Sequence, residues 1–97
     1  MKYRIVLAPG AIQDVKRLPA RDRGHARDAI EEHLRLQPTR VGKSRIKRLR
    51  GLAKPQYRLR VRDIRIFYDV SKDEVRILAI SWKPEAERWL AEKGERS

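Results

Sequence analysis

The sequence contains no cysteine, few aromatic residues and no long hydrophobic run. Without cysteine, disulfide bonds, cysteine-ligated zinc and thiol catalysis are excluded. No segment approaches the length of a transmembrane helix, and the apolar stretch that ends at Leu7 is too short for the core of a signal peptide. The two histidines and the scattered acids lack the spacing of metal ligands. We therefore expect a cytoplasmic protein with no metal, no cofactor and no membrane partner.

Acidic residues are also scarce, because 13 Asp and Glu stand against 25 Lys and Arg, a net charge of +12. Most of this excess lies in residues 40–65, which hold eleven Lys and Arg and a single acid, Asp63. The other 71 residues together carry only +2. Such a cluster favours a nucleic acid as partner, since each cation that meets a phosphate releases condensed counterions. An anionic membrane fits less well, because no predicted helix sets a basic face against a bulky apolar one.

Ninety-seven residues are enough for one domain with one small core. Hydrophobic periodicity predicts an α+β fold, in which an N-terminal strand and a helical hairpin pack on a small antiparallel sheet and a helix follows at the C-terminus. The predicted elements are a strand over 2–7, helices over 11–18 and 20–36, a strand or extended lead-in over 44–50, and strands over 57–62, 64–70 and 75–82. A last helix begins at Pro84 and buries Ala86, Trp89 and Leu90, and we expect residues 94–97 to be frayed.

The segment Tyr57–Arg62 alternates strictly between apolar and cationic side chains. A strand with this pattern buries one face and presents Arg58, Arg60 and Arg62 on the other. A tight turn at Asp63 leads into the next strand, where the same alternation places Arg65 with the arginines on the exposed side. We expect a rigid cationic face that binds a polyanion.

Four segments resemble the RelE/ParE superfamily of toxins from type II toxin–antitoxin systems, with the RelE-like branch favoured. They are Lys47–Gly51 (KRLRG), Tyr57–Val61 (YRLRV), Asp63–Tyr68 (DIRIFY) and Val75–Ile80 (VRILAI). The resemblance covers residues 2 to 90 and identifies residues 1–97 as a single toxin domain. It implies an antiparallel sheet that cradles a basic concave face.

The resemblance implies two possible activities. RelE-like toxins cut mRNA in the ribosomal A site, whereas ParE-like toxins inhibit DNA gyrase and are not nucleases. Our leading hypothesis is a metal-independent, ribosome-dependent mRNA endonuclease; gyrase inhibition is the alternative, and an inactive binding member is a third possibility. The implied partners are a cognate antitoxin with an acidic, partly disordered segment, the ribosome and its mRNA, and operator DNA only through the antitoxin complex.

Metal-free RNA cleavage needs a proton acceptor for the 2′-OH, a proton donor for the leaving oxygen and cations for the extra negative charge. By the resemblance, Arg58 and Arg60 fall where RelE-like nucleases place two catalytic cations, and Arg65 falls on their conserved core arginine. Residues 81–89 contain neither the Tyr nor the His that such enzymes place after the last strand. Lys83 is our candidate in its place, and Glu85, Lys47 and Arg88 remain open alternatives.

Further basic side chains and one tryptophan are candidates for nucleic-acid binding. The cations would contact backbone phosphates and so position the RNA without reading its sequence. Trp82 could stack on a base, although it also ends an apolar strand. The predicted phosphate contacts are Lys43, Arg45, Lys47, Arg48, Arg50 and Arg62.

Overall fold

A computed structural model describes residues 2–42 and 45–97 of the chain. No helix within these residues is both long enough and apolar enough to cross a membrane. In chain order the elements are β1 (Arg4–Leu7), α1 (Pro9–Arg17), α2 (Ala20–Ala29) with a π-helical turn (Ile30–Leu34), β2 (Ile46–Arg48), β3 (Leu52–Lys54), β4 (Tyr57–Val61), β5 (Ile64–Val70), β6 (Glu74–Trp82), α3 (Lys83–Lys93) and β7 (Glu95–Arg96).

Prolines mark where the helices begin. Pro9 and Pro84 stand in the first turns of α1 and α3, where a missing N–H costs no helical hydrogen bond. Pro19 caps α2 and separates it from α1. The two N-terminal helices therefore form the predicted hairpin.

Five strands form the main sheet in the order β1–β6–β5–β4–β2. The β6–β5–β4–β2 pairs are antiparallel, and β1 joins the far side of β6 in parallel. The apolar strand β6 is an interior strand with a neighbour on each side, and β5 is the middle strand of the five. The α+β class with a C-terminal helix is thus confirmed, and the sheet contains one parallel pair.

Helices cover both faces of the sheet. One face carries the main core, in which α1 and α2 pack on apolar side chains such as Leu59, Ile66 and Tyr68. The other face carries a smaller core in which Phe67 and Ala79 lie under Ala86 of α3. A register shift in β6 opposite Phe67 and Tyr68 inserts one extra residue in that strand. The sheet is consequently the middle layer of three.

The β4–β5 hairpin has the predicted tight turn. Val61 pairs with Ile64, so only Arg62 and Asp63 form the loop. Arg62 has a φ of 55°, in the left-handed region that non-glycine residues seldom occupy. This short turn fixes the register of the two strands that carry Arg60 and Arg65.

The C-terminal residues are ordered by pairing, and the prediction that they are frayed is wrong. Strand β7 pairs antiparallel with β3, which lies between two of the predicted strands where no element was predicted. Ser97 N also donates a hydrogen bond to Gly51 O at 3.3 Å. This second, two-stranded sheet ties the end of α3 back to the loop between β2 and β4.

Candidate active site

Two rows of side chains cross the sheet on the face that α3 partly covers. One row runs from Lys47 on β2 through Arg58 on β4 to Phe67 on β5. The next row pairs Arg60 on β4 with Arg65 on β5. The alternation of β4 and β5 thus brings three of the predicted catalytic cations onto one patch, as the sequence predicts.

An open groove of about 600 Å³ lies between this patch and α3, and we call it the basic groove. Its charged lining consists of four cations and one acid. The lining residues are Lys47, Leu49, Arg58, Arg65, Phe67, Lys83, Pro84, Ala86, Glu87 and Leu90. The groove is therefore a cationic channel with an apolar floor.

Arg58 is the cation of the groove that has a buried donor without a hydrogen-bond partner. Its side chain is half-buried, and its buried Nε atom has no hydrogen-bond partner. Within residues 2–42 and 45–97 it forms no ion pair. Burial lowers the pKa of the Arg58 guanidinium, and the positive charges of Arg65 and Arg60 lower that pKa further. An anion in the groove would compensate the charge of this guanidinium.

Arg65 is buried, with 9% of its surface exposed, so the prediction that it lies on an exposed face is wrong. It does share a face with Arg58 and Arg60, but α3 covers that face over β5. Its Nη1 donates to Arg62 O at 2.9 Å and to Ile64 O at 3.0 Å. Burial lowers the pKa of Arg65, and the charge of Arg60 adds to this effect. The guanidinium is anchored by one nitrogen and still lines the groove.

The other two predicted catalytic residues are exposed. Arg60 does not line the groove, but it lies directly across from Arg65. Lys83 begins α3 and lines the groove, and its backbone N–H donates to Asp63 O at 2.7 Å. That bond joins the start of α3 to the β4–β5 turn. Lys83 is therefore placed in the same groove as Arg58 and Arg65.

The predicted nucleic-acid contacts do not all line the basic groove. Lys47 lines the basic groove, while Arg45 lines a separate cavity beside the π-helical turn. Arg50 and Arg62 are exposed in turns, and Lys43 lies outside the described residues.

Arg48 and Trp82 also lie away from the groove lining. The Arg48 guanidinium sits 5.2 Å from the centre of the Tyr57 ring and donates to Gln56 O at 2.7 Å. Trp82 is 38% exposed and lines a different cavity, on the far side of α3, together with Trp89. Both side chains therefore stand apart from the Arg58–Arg65 patch.

The structure adds Glu87, which is not among the site residues predicted from the sequence. Glu87 follows Lys83 by one helical turn and lines the groove with it. Glu85 and Arg88, two of the open alternatives, instead line the cavity beyond α3. The spacing of Lys83, Ala86, Glu87 and Leu90 was the available signal, because helical periodicity puts these four on one face.

Tyr68 supports the site from below and has a structural role. It is fully buried, and its OH donates to Pro38 O at 2.6 Å. Its ring stacks on Tyr57 with centroids 5.4 Å apart. Burial raises the pKa of the Tyr68 hydroxyl well above its ordinary value, which keeps the group protonated.

No group of three His, Asp or Glu side chains is close enough to hold an ion within the described part of the chain. The chemistry of the groove rests on guanidinium, ammonium and carboxylate groups.

The fold and the groove together define a small, strongly basic α+β protein whose sheet presents clustered arginines beside a C-terminal helix. The family described as ParE toxins of type II toxin–antitoxin systems, parDE, matches residues 5–90. The chain therefore belongs to this toxin family. The resemblance to the RelE/ParE superfamily is confirmed. No curated protein sequence gives a significant match.

Solved structures with a similar fold include toxin–antitoxin complexes. The RelB–RelE antitoxin–toxin complex from Methanococcus jannaschii has a TM-score of 0.66 at 21% identity, over 87% of this chain and 96% of that one. The toxin–antitoxin complex RelBE2 from Mycobacterium tuberculosis has a TM-score of 0.63 at 25% identity, over 84% and 99%. The RelE–RelB complex from Pyrococcus horikoshii has a TM-score of 0.64 at 24% identity, over 86% and 97%.

Proposed function

We propose that this toxin acts in the cytoplasm as a ribosome-dependent mRNA endonuclease and thereby inhibits translation. The observation that carries the proposal is Arg58, a partly desolvated cation with an unpartnered buried Nε in an open groove. An anion that enters the groove would compensate this charge. The similarity of the fold to RelE proteins supports the same activity.

The proposed reaction is attack of a ribose 2′-oxygen on the adjacent phosphorus. Arg58 and Arg65 hold the non-bridging phosphate oxygens, and Arg60 adds positive charge from the next row. Guanidinium groups suit this role because they stay charged and pair with two oxygens at once. Lys83 donates a proton to the departing 5′-oxygen. The remaining exposed cations, among them Lys47, contact neighbouring phosphates and ribosomal RNA.

The proposal is tested by mRNA cleavage in a reconstituted translation system. Wild-type protein should cut mRNA positioned on the ribosome, and Arg58→Met should cut it on the order of 10²–10³ times more slowly, as when one oxyanion donor is lost. Arg76→Met is the matched control, because Arg76 lies on β6 and pairs with Glu74 at 3.3 Å, outside the groove lining. Intact mRNA with wild-type protein, or undiminished cleavage by Arg58→Met, would refute the assignment.

Gyrase inhibition is the second candidate. Two observations favour it, the match to the ParE toxin family and the absence of Tyr and His from residues 81–89. In this role the cationic patch would bind the enzyme or its DNA without phosphodiester chemistry. A DNA supercoiling assay separates the two candidates. Inhibited supercoiling together with intact mRNA would establish the second and exclude the first.

We also propose a cognate antitoxin as partner, since the similar structures include antitoxin–toxin complexes. An acidic, partly disordered segment suits the basic groove, because ordering it there neutralises Arg58 and Arg65. Operator DNA would be bound only by the pair. Co-expression with the product of the adjacent reading frame should relieve growth arrest, and persistent arrest would count against that partner.

A further inference from the structure

One proton transfer in the proposed cleavage has no agent among the arginines. The 2′-OH must lose its proton as its oxygen attacks phosphorus, and a guanidinium does not accept protons in proteins. Tyr68, whose hydroxyl is buried against Pro38 O, cannot reach the groove substrate. The other side chains that line the groove are the candidates for this acceptor.

Glu87 is the single acid among the described residues that line the groove. Its side chain is exposed and forms no ion pair or hydrogen bond with any side chain the structure describes. Its carboxylate is therefore available to a ligand. The cations that face the groove are Lys47 from β2, Arg58 from β4, Arg65 from β5 and Lys83 from α3.

The packing of α3 fixes the direction of Glu87. Ala86 is buried against Phe67, and Trp89 stacks on the same ring with centroids 5.0 Å apart. These contacts set the rotation of the helix, so that Lys83 and Glu87, one turn apart, both line the groove. The other α3 carboxylates, Glu85 and Glu92, line the cavity on the far side. The helix thus supplies the groove with one carboxylate and one ammonium group on adjacent turns.

We propose that Glu87 is the general base, a catalytic residue that accepts the proton of the ribose 2′-OH; this inference rests on the proposed nuclease function. The bond from the 2′-oxygen to phosphorus forms while the bond from phosphorus to the 5′-oxygen breaks. The 2′ proton moves to the Glu87 carboxylate, and the 5′-oxygen takes a proton from the Lys83 ammonium. The products are a 2′,3′-cyclic phosphate and a 5′-hydroxyl end.

The test compares Glu87→Gln with the wild-type protein in single-turnover cleavage of ribosome-bound mRNA. The amide keeps the shape of the side chain but cannot accept the proton, so the rate should fall by roughly 10²–10⁴-fold. Glu92→Gln makes the same change on the same helix away from the groove and should cut at the wild-type rate. Glu87→Asp should recover part of the lost activity. Thermal unfolding and ribosome binding of Glu87→Gln should match the wild type.

Three outcomes distinguish failure of this inference from failure of the nuclease proposal. Equal rates for Glu87→Gln and wild type would overturn the inference and leave the nuclease proposal intact. Loss of ribosome binding in Glu87→Gln would also overturn it, because the residue would then act in binding. No cleavage by the wild type would instead refute the nuclease proposal itself.

Discussion

Replacing Arg58 with Met should stabilise the free protein although it weakens the binding of phosphate in the basic groove. Met keeps most of the unbranched stem but removes the charge and the buried Nε that has no partner. Arg58 lies directly across from Lys47 in the β2–β4 ladder and diagonally from Arg65 in the β4–β5 ladder. In the described structure no hydrogen bond or ion pair of Arg58 offsets these costs. We therefore expect the native Arg58 to lower the free energy of unfolding of the free protein.

The size of the effect follows from two contributions. Like charges directly opposite on neighbouring strands cost about 0.2–1 kcal/mol, and the diagonal pair costs less. A buried donor without a partner costs about 1 kcal/mol or more, which the loss of some stem contacts partly offsets. We expect the free energy of unfolding to rise by about 1 kcal/mol. For a domain of this size that corresponds to a rise in Tm of about 4–8 °C.

Urea denaturation at low ionic strength measures this difference, and Arg76→Met serves as the control. Arg76 forms an ion pair with Glu74, so its loss should lower the free energy of unfolding by about 0.2–1 kcal/mol. Near 1 M NaCl, where the Debye length is about 3 Å, the gain from Arg58→Met should shrink towards the contribution of the buried Nε alone. If Arg58→Met is no more stable than the wild type at low salt, the cationic cluster does not destabilise the fold and the prediction is wrong.

Three further changes test how the site is supported. Tyr68→Phe removes the hydrogen bond to Pro38 O and should cost about 1–3 kcal/mol in denaturation experiments at pH 7. Burial raises the pKa of Tyr68, so the folded state keeps a proton that the unfolded chain loses above about pH 10. Above that pH the free energy of unfolding of the wild type should fall with pH more steeply than that of Tyr68→Phe, by up to about 1.4 kcal/mol per pH unit. Parallel pH profiles for the two proteins would contradict this prediction. Asp14→Ala removes the acceptor of the Ile80 N–H at 2.8 Å and should lower stability by about 1–3 kcal/mol, whereas an unchanged denaturation midpoint would show that water replaces it. Gly51→Ala should lower the free energy of unfolding by about 1 kcal/mol in thermal unfolding, because the φ of +77° is unfavourable for alanine. The added Cβ itself has no atom within 4 Å, so the backbone conformation is the whole cause, and a stability gain would contradict it.

The β4–β5 hairpin is the part of the fold that local rules predict best. Alternation places Arg58, Arg60 and Arg65 on one side, and the two-residue turn fixes their register. Periodicity alone does not show whether a second layer covers that side, which is why Arg65 was expected to be exposed and is buried. Phe67, on the same face as Arg65, was the sign that this face is covered.

The short strands and the acid of the groove could not be derived in the same way. β3 and β7 have three and two residues, too few to show any period, and they pair across more than forty positions. Glu87 becomes a site residue only once α3 is docked against Phe67. The local sequence determines on which face of its helix or strand each side chain lies. The packing of α3 then determines which of these side chains line the groove together.

The stack of Trp89 on Phe67 gives the protein an internal optical probe. Phe67 forms part of the groove floor, and its ring lies 5.0 Å from that of Trp89 at an interplanar angle of 9°. The sequence has only two tryptophans, and Trp82 lies outside the groove lining. In a Trp82→Phe background, the emission of a single indole would report on whether α3 remains docked. Titrating an oligonucleotide or an acidic peptide against that signal would show whether filling the groove disturbs its floor.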